Sequence, residues 1–160
     1  MRTAAPALLL VVLAGCGSGE ADGPGTVRVE VGVQDVEVVP TQFCLDGEGQ
    51  RYDTTTPVIE VSPDATISLT VPDAIAERGW SIQVFDESLE ERLGTVDVER
   101  GTTTYDEIAT SDVVPPGFYL VVVEDKGGDC GEFTGAWPIG FVRAGGDLGG
   151  TTSPGTAPPG

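Results

Sequence analysis

The side chains that could do chemistry in this sequence are few in kind. Its 160 residues include no histidine and no asparagine. Serine-histidine-aspartate and cysteine-histidine nucleophiles are therefore excluded. A blue-copper site, which needs two histidines, is excluded as well. Carboxylates, three cysteines and the single lysine, Lys126, remain. Asp86, Glu87, Glu90 and Glu91 crowd one short stretch, and two carboxyl groups can cleave a glycosidic bond if one stays protonated while the other ionises. That division needs unequal burial, and only Leu89 and Leu93 supply apolar neighbours there. The expectation is a solvated acidic loop that tolerates substitution, no catalytic residue, and a chain that is not an enzyme. Asp46, Glu48 and Asp53 could offer oxygens to calcium, but their spacing lacks the twelve-residue calcium-loop pattern. A glycine-rich turn is expected instead, with no metal and no cofactor. Lys126 lies in Glu124-Asp125-Lys126-Gly127-Gly128-Asp129, which reads as a solvated hairpin turn and not as half of a serine-lysine dyad.

The cysteines divide by position. Cys16 closes Leu13-Ala14-Gly15-Cys16, behind Arg2 and an apolar run from Ala4 to Gly15. Twelve helical residues span only about 18 Å, short of the roughly 30 Å hydrocarbon core, so residues 1–15 have the layout of a signal peptide. The ending looks like the lipobox of bacterial lipoproteins. Small residues at Ala14 and Gly15 admit a peptidase, and the Cys16 thiol accepts a diacylglyceryl group. Two acyl chains on one cysteine anchor stably where a single chain is marginal. Residues 16–25, rich in glycine and without apolar pattern, read as a lipidated flexible tether. Cys44 and Cys130 are then an even pair in an oxidising compartment, and a disulfide between them is favoured over two buried thiols. It would close a loop of more than eighty residues, worth about 4 kcal/mol in the entropic model. Two thiolates without histidine make a poor zinc or copper site.

Charge narrows the partners. There are 26 acidic against 8 basic residues, a formal charge of -18, and removal of residues 1–15 takes away one cation, Arg2, and no acid. Nucleic-acid affinity comes from Lys and Arg neutralising phosphates, so no nucleic acid is expected. Attraction to an anionic lipid surface fails for the same reason. Contact with the membrane would run through the lipid on Cys16.

The elements that must position these groups are strands. Val27, Val29, Val31 and Val33 alternate with polar residues or glycine, the period of a half-buried strand. Val36 and Val38 continue after a Gln34-Asp35 turn. Similar runs recur to Arg143 with Pro or Gly between them. Phe118 to Val123 is apolar throughout, as in a central strand covered on both faces. Trp80 and Trp137 read as core aromatics. One short helix is expected over Asp73 to Arg78, with Asp73 as N-cap and Gly79 as stop. Eight to nine short strands at such spacings suggest an all-β, antiparallel sandwich of immunoglobulin-like type over residues 26–144, with a small β-barrel as the alternative. Residues 145–160, dominated by Gly, Thr and Pro, are expected to be a disordered tail.

Val39-Pro40-Thr41-Gln42-Phe43-Cys44, followed by Val71-Pro72-Asp73 running to Trp80, resembles the actinobacterial secreted lipoprotein family known as domain of unknown function 2771. The resemblance implies a lipid-anchored extracytoplasmic domain on the outer face of the cytoplasmic membrane and carries over no catalytic or ligand residue. A second cysteine soon after the first, frequent in that family, is missing here, which leaves Cys130 as the partner for Cys44. The expected role is a non-catalytic binding or scaffolding domain for an envelope protein or glycan. The alternatives are a carboxylate-based glycan-acting enzyme and a small-ligand receptor, the latter requiring a deep apolar pocket.

Overall fold

The computed structural model describes residues 24–45, 47–127 and 130–148. Strand β1 (Val27–Val31) buries its three valines and exposes Arg28 and Glu30. It pairs antiparallel with β2 (Gln34–Val38), Val27 opposite Val38 and Val31 opposite Gln34. The reversal falls at Gly32, with φ of 61°, and at fully exposed Val33. A two-residue hairpin needs positive φ, which glycine adopts freely. Gln34 and Asp35, expected to turn, are therefore the first residues of β2. Asp35 instead takes a forked pair from Arg28, Nε to Oδ1 at 2.9 Å and Nη2 to Oδ2 at 2.5 Å. That hydrogen bonding holds its carboxyl below the usual range.

Strands β3 (Gln42–Leu45), β4 (Glu48–Arg51), β5 (Val58–Glu60), β6 (Thr66–Thr70), β7 (Trp80–Phe85), β8 (Arg92–Asp97), β9 (Thr104–Ala109), β10 (Gly117–Gly127) and β11 (Gly131–Val142) complete the described strands. One sheet runs β2-β1-β6-β9 and the other β4-β3-β11-β10-β7-β8, with β5 joining β11. Pairing is antiparallel except for β5 on β11. Buried residues of both sheets form one core cluster, so the molecule is an open β-sandwich and not a closed barrel. The eleven strands among the described residues exceed the eight to nine expected. The clearest addition is β4, exposed at all four residues. It is held by its register with β3, Phe43 opposite Gln50, and has no apolar alternation to announce it. Lys126 likewise falls within β10 and not in a turn, because pairing with β11 continues past a shift at Glu124/Asp125.

The all-apolar run of β10 is buried from Phe118 to Val123, between β11 and β7. Phe118 stacks on Phe141 with ring centroids 5.3 Å apart. Trp80 and Trp137 are fully buried. Each indole finds an acceptor, the Thr102 carbonyl at 2.7 Å and the Gly25 carbonyl at 2.9 Å, as buried Trp requires. The short helix α1 (Asp73–Arg78) forms as expected, but Pro72 is its N-cap and Asp73 its first residue. Proline's fixed φ suits a helix start, and no side chain caps there. Gly79 ends it at φ 102°. Ile75 and Ala76 enter the core, while Arg78 pairs with fully buried Glu124. At the other end Leu148 is buried, its Cδ1 within 2.6 Å of where a Cβ on Gly140 would stand. Leu148, at the near end of the stretch expected as a tail, thus packs against β11. Residues 1–15, most of the tether and residues 149–160 lie outside the described residues.

Candidate functional site

The sandwich has a break at one margin. Strands β8 and β9 are the last members of their sheets, and between them opens a cleft of about 410 Å³. On β8 the inward register positions are Val96, opposite Ile82, and Gly94, opposite Val84. A Cβ on Gly94 would meet nothing within 4 Å. The hollow lies where an inward side chain is missing. Beside it the register shifts at Val84/Phe85, so that Leu93 is an extra residue between the Arg92 and Gly94 pairings. This bulge contributes Leu93, 43% exposed, to the wall.

The opposite wall is built by a second bulge. On β9, Ile108 pairs with Ile67 and Tyr105 with Leu69, a step of three residues matched against a step of two. Regular alternation would put Tyr105 and Ile108 on opposite faces. The added residue turns both toward the core, where Ile108 is buried and Tyr105 packs against the cluster. Glu107 lies between them and also lines the cleft. Burial, reinforced by the nearby charge of Glu107, pushes the Tyr105 phenol above its usual range.

The lip of the cleft follows β9. A 3-10 turn over Thr110–Asp112 is tied down by Thr110, whose buried hydroxyl reaches the Ser62 and Pro63 carbonyls at 2.7 and 2.6 Å. Asp112 Oδ2 accepts the Ala109 N–H at 2.8 Å. Val113, Val114 and Pro115 then run along the opening. Arg143 Nη2 donates to all three of their carbonyls, at 2.5, 3.1 and 2.7 Å. Val113 can thus be buried while Val114 stands 90% exposed at the mouth.

Chemically, the cleft joins apolar walls to three titratable side chains among its lining residues, Tyr105, Glu107 and Asp112, and no cation is among those residues. Its volume lies in the range of small-molecule sites, about 300–1,000 Å³. The arrangement suits reversible binding of an apolar body with polar contact at the rim.

The chemistry-bearing residues singled out from the sequence lie elsewhere. Asp86 Oδ1 accepts the Glu90 and Glu91 N–H groups at 2.9 and 3.0 Å, and Oδ2 accepts the Ser88 hydroxyl at 2.5 Å. The hydroxyl first, then the Glu91 N–H, holds its carboxyl below the usual range. Asp86 therefore organises the β7–β8 turn within that exposed acidic loop. Cys44 and Cys130 form the expected disulfide, Cα atoms 5.8 Å apart and 86 positions apart in sequence, between β3 and the residue that precedes β11. Cys16 and Asp46 lie outside the described residues. Glu48 begins β4 and is exposed. Among the described residues no group of three or more His, Cys, Asp or Glu side chains could hold a metal ion. No helix among them is long and apolar enough to cross a membrane.

Reading the sequence alone misses the cleft. Its traces there are the three-residue step from Tyr105 to Ile108 and a glycine at an inward strand position, signals that acquire meaning only with the register known. A family model described as a protein of unknown function (DUF2771) matches residues 22–126, a span holding both cleft walls and Cys44 but not Cys130. No curated protein and no solved structure matches the chain.

Proposed function

The chain belongs to the DUF2771 family, and from that premise we propose that it is a lipid-anchored extracytoplasmic domain that binds a ligand of the cell envelope without transforming it. The observation that carries this reading is the cleft between β8 and β9. It is an apolar hollow of small-molecule size, kept open by Gly94 and lipped by a segment that Arg143 fixes. Among the expected roles it favours ligand reception over pure scaffolding. The lipobox ending at Cys16, an acidic exported body and the Cys44–Cys130 disulfide support placement on the outer face of the cytoplasmic membrane.

The neutral apolar dye N-phenyl-1-naphthylamine tests the binding half of the proposal. Purified protein should bind it saturably, one per chain, and Gly94→Leu should abolish the signal while leaving the thermal transition in place. Absence of saturable binding, or equal binding by the variant, contradicts the reading. The anchor is tested by Cys16→Ser, which should move the protein from the detergent phase to the soluble phase. A variant retained like the wild type contradicts it.

A further inference from the structure

We infer that the cleft between β8 and β9 takes an amphiphilic cation, a molecule with an apolar body for the hollow and a positive group for the rim at Glu107 and Asp112. This rests on the binding reading above and adds the class of ligand.

The walls set the apolar half. Val84, Leu93, Val96, Ile108, Val113 and Pro115 present hydrocarbon, and removing it from water is favourable. The rim sets the sign of the polar half. Glu107 and Asp112 are both exposed carboxylates at the opening, in a chain of net charge -18. An anionic head group would meet like charge next to a low-dielectric wall, where the repulsion is poorly screened. A cation meets two opposite charges and the ring of Tyr105, which can also attract it through its face.

The same geometry argues against a peptide strand as occupant. An edge strand accepts a new partner through an uninterrupted ladder of N–H and C=O groups. Both edges here are broken beside the cleft, β8 at Leu93 and β9 between Tyr105 and Ile108. Bulges of this kind end pairing and re-aim side chains. The hollow between the edges is available, and the ladders along them are not.

Three probes with one chain length separate the possibilities: decyltrimethylammonium, decanol and decanoate, each below its aggregation limit at about 0.15 M salt, where long-range surface attraction is screened. The wild-type domain should bind one decyltrimethylammonium per chain, about tenfold or more tighter than decanol, with decanoate weakest. Glu107→Gln should weaken the cation several-fold and leave decanol unchanged. Gly94→Leu should remove binding of all three, and Gly94→Val, with its smaller side chain, should do so in part if the leucine variant does not fold. Decanol or decanoate binding as tightly as the cation overturns the inference but leaves the apolar site standing. Silence from all three overturns the binding reading too. Cation binding that survives the filling of Gly94, where net charge is unchanged, assigns the attraction to the acidic surface and overturns the inference.

Discussion

Two glycines, one near each margin of the sandwich, do opposite things. Gly135 on β11 makes room: a Cβ there would stand 2.5 Å from the Trp137 ring and 2.9 Å from Phe43. The two rings use that room to meet edge to face, with centroids 6.1 Å apart. Gly94 on β8 leaves room, since a Cβ there would touch nothing within 4 Å. The first region is tightly packed around the Trp137 ring and is stapled nearby by Cys44–Cys130. The second is hollow, and bulges on both sides hold it open. Stability and accessibility are thus assigned to different margins. Close-packed interiors feel the change of a single methylene, so an inward register position with nothing within 4 Å of its Cβ departs from that packing.

The sharpest break of this contrast is at the filled margin. Trp137→Ala should cost about 3–5 kcal/mol, because it empties a fully buried site and removes the hydrogen bond to the Gly25 carbonyl. Urea unfolding measures it, and a loss below about 1 kcal/mol, the size of an ordinary surface change or slightly more, would mean that this margin is not the packed one. Next in size, Gly135→Ala should destabilise by about 1–3 kcal/mol through overpacking. Gly94→Ala should change stability by no more than about 1 kcal/mol, with stabilisation favoured as the unfolded chain loses freedom. Equal costs at the two glycines would erase the comparison.

The smallest effect concerns the turn that carries β8. The lowered Asp86 carboxyl contributes stability that is present above the ordinary aspartate value of about 3.9 and is lost as pH falls through its depressed value. The amide resonances of Glu90 and Glu91, which donate to it, should therefore shift together with a midpoint below about 3.9. Asp86→Asn should remove that titration. A midpoint at or above the ordinary value would leave the turn without its organiser.

Much of the fold is legible in the residues. Alternating valines announce β1, the unbroken run Phe118 to Val123 announces the central strand, and cysteine parity announces the disulfide. Strand β4 is not legible, because its four exposed residues pair through backbone alone. The cleft is not legible either. A glycine within a strand reads as weakness, and only the partner strand reveals that Gly94 faces inward opposite Val84. A bulge is a mismatch between two strands, so neither β8 nor β9 can announce its own. The acidic stretch after β7 drew attention by composition, yet one of its carboxylates serves the turn and the carboxylates that line the cleft are Glu107 and Asp112.

The most direct test of the central claim, that the unfilled margin is the binding site, is a methyl-resolved NMR titration with decyltrimethylammonium. Saturable shifts are expected at Val84, Val96, Ile108 and Val113, which line the hollow, with Val27, Val29 and Ile139 of the filled core unmoved. Shifts centred on those core methyls, or none that saturate at the cleft, would contradict the claim.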